Sequence, residues 1–108
     1  MAKLKRTKPQ SRTFLREWRQ LRGLSQEELT ARVGWDRSTV TRVENGTTAY
    51  TQQMLEALAI VLRCTPGAIT DTDPNSAQGR LYLLLNGASD AEIERAAAVL
   101  KALQSQSA

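Results

Sequence analysis

An all-α fold follows from three features of the 108-residue sequence: apolar residues recur three and four positions apart, Ser or Asp stands ahead of several of these runs, and glycines close them. The pattern predicts a five-helix domain followed by a C-terminal helical appendage. Residues 13–22 make the first predicted helix, with Phe14, Leu15, Trp18 and Leu21 on one side and Gly23 as its stop. Ser25 and Glu28 form a capping box, in which each side chain satisfies an orphan N–H at a helix start, so the second helix begins at Gln26. Leu29 and Val33 give it an apolar face, and Gly34 ends it in a left-handed conformation that other residues adopt only at a cost. Asp36 is the next N-cap, ahead of a third helix whose Val40 and Val43 lie opposite Arg37, Ser38, Thr41 and Arg42. That helix buries one side and presents the other. A fourth helix over about residues 51–63 carries Met54, Leu55, Leu58, Ala59 and Leu62, and a short fifth from Pro66 brings Ile69 to the same core.

The chain divides into four segments. Residues 1–12, MAKLKRTKPQSR, are basic, contain Pro9 and have no apolar periodicity, so they read as a flexible arm. Residues 13–70 form the helical domain, and the turn-rich residues 71–79 a linker. Within residues 80–108, a short apolar helix over 80–85 is broken by Asn86-Gly87. Ser89 and Glu92 then make a second capping box ahead of a long helix to about Leu103. Ile93, Ala96, Ala97, Leu100 and Leu103 form a stripe on that helix too apolar to leave in water. With Leu81, Leu84 and Leu85 it makes a candidate dimerisation surface. Two coverings fit the pattern equally: the segment folds back on its own domain, or it pairs between subunits.

Composition narrows the function classes. The net charge of +4 hides an asymmetry, since residues 1–24 carry eight Lys or Arg against one acid and residues 47–108 carry four against six. A positive field at the N-terminal end suits a phosphate backbone. The lone Cys64 has no internal disulfide partner, and the absence of histidine removes Cys/His metal sites and His-based acid, base or triad chemistry. No glycine-rich phosphate loop is present, and an enzyme, a metal or a cofactor is not expected. No apolar run approaches the ~18 residues that span a bilayer, and the basic start lacks the apolar segment of a secretory signal, so a cytoplasmic location is expected.

The run Leu24 to Gly46, LSQEELTARVGWDRSTVTRVENG, thus encodes two short amphipathic helices joined by a glycine turn, the framework of a DNA-reading helix-turn-helix. It resembles the helix-turn-helix of the lambda-repressor-like Cro/CI (Xre) family of bacterial and phage regulators. The resemblance covers Phe14 to about Ile69 and rests on the LSQEEL start, the turn glycine, the hydroxyl and basic residues of the third helix and its terminal E-N-G. It implies a five-helix lambda-repressor-like domain, an ion pair between Arg19 and Glu44, and a phosphate contact at Gln26. Thr30 stands where the family usually has alanine, and Trp35 replaces a smaller apolar residue.

Residues one, two, five and six places into a major-groove helix project toward the base edges, here Arg37, Ser38, Thr41 and Arg42. Arginine can donate two parallel hydrogen bonds to guanine, while hydroxyls accept several partners. Base contact is favoured at Arg37; Arg42 reads equally as a phosphate contact. Gln26 lies at a helix start, where free N–H groups attract phosphate, and Thr39, Asn45, Thr47, Thr48, Tyr50 and Arg12 are further phosphate candidates. The basic arm either follows DNA or is a solubilising tail. The expected function is that of a homodimeric regulator of transcription on double-stranded DNA, reading an inverted repeat and acting as a repressor, with activation through polymerase contact left open. The alternatives are an antitoxin or interaction module whose C-terminal segment binds another protein, or an RNA-binding or coactivator-like use of the fold.

Overall fold

A computed structural model of the chain describes residues 13–106, and the arm of residues 1–12, Arg12 included, lies outside them. Seven helices and no strand occur among the described residues: α1 (Leu15–Leu21), α2 (Gln26–Val33), α3 (Arg37–Asn45), α4 (Gln52–Leu62), α5 (Pro66–Asp71), α6 (Ala77–Asn86) and α7 (Asp90–Gln106). None is long and apolar enough to cross a membrane.

Capping chemistry sets most of the boundaries. Ser25, Asp36, Thr51, Thr65 and Ser76 each accept a hydrogen bond from a backbone N–H in the first turn of the helix they precede. The Ser76 cap explains why α6 starts at Ala77 rather than at Arg80, as the apolar run alone suggests. By contrast, Phe14 ahead of α1 offers no side-chain cap; the Thr13 hydroxyl accepts from the Leu15 N–H at 3.1 Å, and the Phe14 N–H donates to the Ile69 carbonyl at 2.7 Å, which ties the start of α1 to α5. Gly34, at φ 78°, supplies the left-handed turn between α2 and α3.

The core is one cluster shared by the first five helices, built on Leu15, Trp18, Leu24, Leu29, Val40, Val43, Leu55, Leu58, Leu62 and Ile69. Leu21, expected on the buried side of α1, is instead 41% exposed, because it is the last residue of that helix and the chain turns away at Gly23. Trp18 holds several elements at once. Its indole N–H donates to the Ala68 carbonyl at 3.1 Å and the Thr72 carbonyl at 2.9 Å, and Arg22 lies over its ring at 5.6 Å. The same Arg22 donates to the Leu62 and Arg63 carbonyls, closing the C-terminal end of α4.

Helix α6 is docked on this core. Tyr82 meets the Trp18 ring edge to face at 5.9 Å, and its hydroxyl accepts from the Thr65 N–H at 3.0 Å. Leu83 packs beside it, Pro74 is fully buried, and Gly79 passes so close to residues 73–74 that a Cβ there would lie 2.6 Å from Pro74 Cα. The segment of residues 71–79 is therefore a packed joint. Beyond it, α7 carries no buried residue and does not return to the core.

Gly79→Ala should overpack this joint and cost about 1–3 kcal/mol, read as a lowered melting temperature; an unchanged transition would mean that the joint can open without loss.

Candidate nucleic-acid interface

The two helices of the Leu24–Gly46 unit are fixed first by their own ends. Ser25 Oγ accepts from the Glu28 N–H at 3.0 Å while a Glu28 carboxylate oxygen accepts from the Ser25 N–H at 2.8 Å. These hydrogen bonds hold the Glu28 carboxyl below its ordinary value. Asp36 Oδ1 accepts from the Thr39 N–H and from the hydroxyls of Thr39 and Ser38, which holds its carboxyl low as well.

A buried carboxylate then sets α3 against α1. Glu44 is 3% exposed, yet its oxygens are well provided for: Arg19 Nε donates to Oε2 at 2.6 Å, Arg19 Nη2 to Oε1 at 3.3 Å and the Gln26 amide to Oε1 at 3.0 Å. A second guanidinium, that of Arg16, stands 3.5 Å from Oε1 and donates to Asn45 Oδ1 at 2.9 Å. Arg16 did not figure among the sequence candidates. Only its position two turns before Gly23 on the polar face of α1 hinted at it, and the long reach to Asn45 is a tertiary fact.

Gln26 is the junction of the site. Besides donating to Glu44, its amide oxygen accepts from Thr41 Oγ1 at 3.3 Å and from Arg37 Nε at 3.4 Å. Arg37 also pairs with Glu27 at 2.7 Å, both side chains being 62% exposed. Thus Arg37 and Thr41 are brought beside the start of α2, and the Gln26 amide is already engaged within the protein. Arg42 is exposed, and its guanidinium makes no hydrogen bond among the described residues. Ser38 and Arg37 share the exposed side, whereas Val40, Val43 and Glu44 occupy the buried one.

The remaining candidates are less uniform. Thr47 is exposed, and its N–H and hydroxyl both donate to the Arg42 carbonyl. Thr48 is half-buried, and Tyr50, also half-buried, packs against the core. Outside this unit, burial pushes the Cys64 thiol up to about 11, which leaves it protonated and a poor nucleophile at neutral pH.

A helix-turn-helix family model matches residues 15–69, just over half of the chain. The chain belongs to the Cro/CI-type helix-turn-helix family. A Cro/CI-type domain is a DNA-binding module of transcriptional regulators, and α2 and α3 are its helix pair. No curated protein and no solved structure matches the chain.

At the α2 position usually held by alanine in this family, the Thr30 hydroxyl is buried and has no hydrogen-bond partner. Thr30→Val keeps the shape and removes the unsatisfied group, so it should stabilise the domain by about 1 kcal/mol. A lowered melting temperature would show that the hydroxyl is solvated after all. Glu44→Ala should cost about 3–5 kcal/mol, because Arg19 is left partly buried without its carboxylate, and DNA binding should fall together with the melting temperature. A variant that melts as before yet no longer binds would refute this structural role.

Proposed function

We propose that the chain is a repressor that reads an inverted-repeat operator as a homodimer, each copy laying α3 in the major groove of one half-site. The observation that carries this reading is the division of α3: Val40, Val43 and Glu44 anchor one side, while Arg37, Ser38 and Arg42 stand together on the exposed other. In a two-fold complex the half-sites would lie about one helical turn, ~34 Å, apart on one face of the duplex. Arg37 would donate two hydrogen bonds to a guanine, and Ser38, Thr41 and Arg42 would meet neighbouring base edges. Phosphates would be met at the start of α2 by Gln26 and its backbone N–H, and further along by Thr39, Asn45, Thr47, Thr48, Tyr50 and Arg12. Gln26 can serve a phosphate through the second N–H of its amide nitrogen, the first being donated to Glu44.

Occlusion of a promoter is the simplest mode of action for a regulator of this kind, and the cytoplasm is where it would meet its operator. The uncovered apolar faces of α6 and α7 favour one other reading, that of an antitoxin whose C-terminal segment binds a second protein while DNA binding serves autoregulation.

Selection of bound duplexes from a random pool at near-physiological salt, which suppresses nonspecific phosphate binding, tests the proposal. An inverted repeat with guanine in each half-site should emerge; no enrichment would favour the antitoxin reading. On the selected operator, Arg37→Ala should relax base preference at one symmetric position, at a cost of about 1–3 kcal/mol, whereas Gln26→Ala should weaken all duplexes alike. Uniform weakening by both would remove Arg37 from base reading.

A further inference from the structure

The cluster around Glu44 holds more positive charge than the carboxylate needs. Arg19 takes both of its oxygens, at 2.6 and 3.3 Å, from a largely buried side chain, whereas Arg16 stands off at 3.5 Å with its side chain 49% exposed. Arg19 and the Gln26 amide already provide for Glu44, so the charge of Arg16 is left over at the surface. Of the five N–H groups of this guanidinium, one is used in a hydrogen bond, that from Nη2 to Asn45 Oδ1 at 2.9 Å. Its Nη1 donates to nothing among the described residues.

The same bond orients Asn45. A guanidinium can only donate, so the amide oxygen of Asn45 must face Arg16, and its NH2 group is turned away with no acceptor among the described residues. Asn45 comes four residues after Thr41 and seven after Ser38, which puts it on the exposed face of α3 with them. It also stands eight residues beyond Arg37, about 12 Å along the helix axis, a length comparable with the width of the major groove. With Arg37 at the base edges, Asn45 therefore comes to the rim of the groove, where the sugar-phosphate backbone runs. Arg16 springs from α1, outside the helix pair, and reaches the same rim.

We infer that Arg16 and Asn45 clamp one phosphate of the DNA backbone, Arg16 through Nη1 and Asn45 through Nδ2. The inference rests on the reading above for the placement of α3, and adds a charged contact that comes from α1. Gln26 and Arg16 flank one oxygen of Glu44, Oε1, at 3.0 and 3.5 Å, so the clamp adjoins the phosphate site at the start of α2. Arginine suits the place because its fork can keep Asn45 on one nitrogen while another meets a phosphate oxygen.

The salt dependence of duplex binding tests the clamp, since a phosphate contact releases counterions and reads no sequence. Binding is measured on the selected operator and on a duplex of unrelated sequence. Arg16→Gln should lower the slope of log Kd against log salt by about 0.9 for each subunit bound and weaken both duplexes alike, about tenfold per subunit. It should melt as the wild type does, because Glu44 keeps Arg19 and Gln26. Arg16→Lys should retain the slope. Asn45→Ala should weaken binding with the slope unchanged, and the double variant Arg16→Gln/Asn45→Ala should lose less than the two single losses combined, as donors to one phosphate do. An unchanged slope in Arg16→Gln, a loss that merely follows a lowered melting temperature, or strictly additive losses would each overturn the clamp. A lowered slope on the unrelated duplex without any selectable operator would uphold the clamp and overturn the operator reading. A wild type with no affinity for duplex DNA would overturn both.

Discussion

The Glu44 carboxylate is the constraint on which the geometry of the helix pair depends. It is nearly buried at the C-terminal end of α3, and burial of a charge is tolerable only when its oxygens are hydrogen-bonded and its charge is met. Arg19 and Arg16 from α1 and Gln26 from α2 supply both conditions, so three helices are registered at a single side chain. Apolar packing at Val40 and Val43 gives α3 its place in the core, but it leaves rotation and sliding weakly defined. Directional bonds of 2.6–3.3 Å to one carboxylate remove that freedom. The turn at Gly34 and the Asp36 cap then fix the other end of α3.

Trp18 plays the matching part for the C-terminal half. Its ring is the floor on which Tyr82 stands, its N–H holds the end of α5, and its helix carries the two arginines of the Glu44 clamp. Helix α6 is consequently continuous with the DNA-binding domain rather than strung from it. The close passage of Gly79 over Pro74 adds a backbone-to-backbone contact that no longer side chain would permit.

Much of this was legible in the sequence where the signal is local. The capping boxes at Ser25 and Ser89 and the cap at Asp36 act over three residues, so residue type and spacing sufficed to place the starts of α2, α3 and α7. The all-α class and the family followed from the same run. What escaped notice depends on contacts between distant segments. Arg16 is one of several arginines in this part of the chain, with Arg12, Arg19 and Arg22, and is distinguished only by where α3 ends. Gln26 reads as an exposed amide until Glu44, Thr41 and Arg37 are brought around it. Ser76 is a cap only if the helix begins before the apolar run, and Gly79 looks like a weak helix residue until Pro74 is placed beneath it. The unsatisfied hydroxyl of Thr30 was visible as a departure from the family pattern, but its cost becomes apparent only once its surroundings are closed.

The two-sidedness of α3 has an evolutionary consequence. The side chains that hold the helix in place, Val40, Val43 and Glu44, are separate from those that stand at its surface, Arg37, Ser38 and Arg42. The surface set makes only exposed contacts, such as the Arg37–Glu27 pair, which contribute little to stability. Substitutions there are nearly neutral for folding, so the outward residues can drift or be exchanged wholesale while the scaffold beneath them is kept. A duplicated copy of such a chain can diverge in what it touches without first having to acquire a new fold.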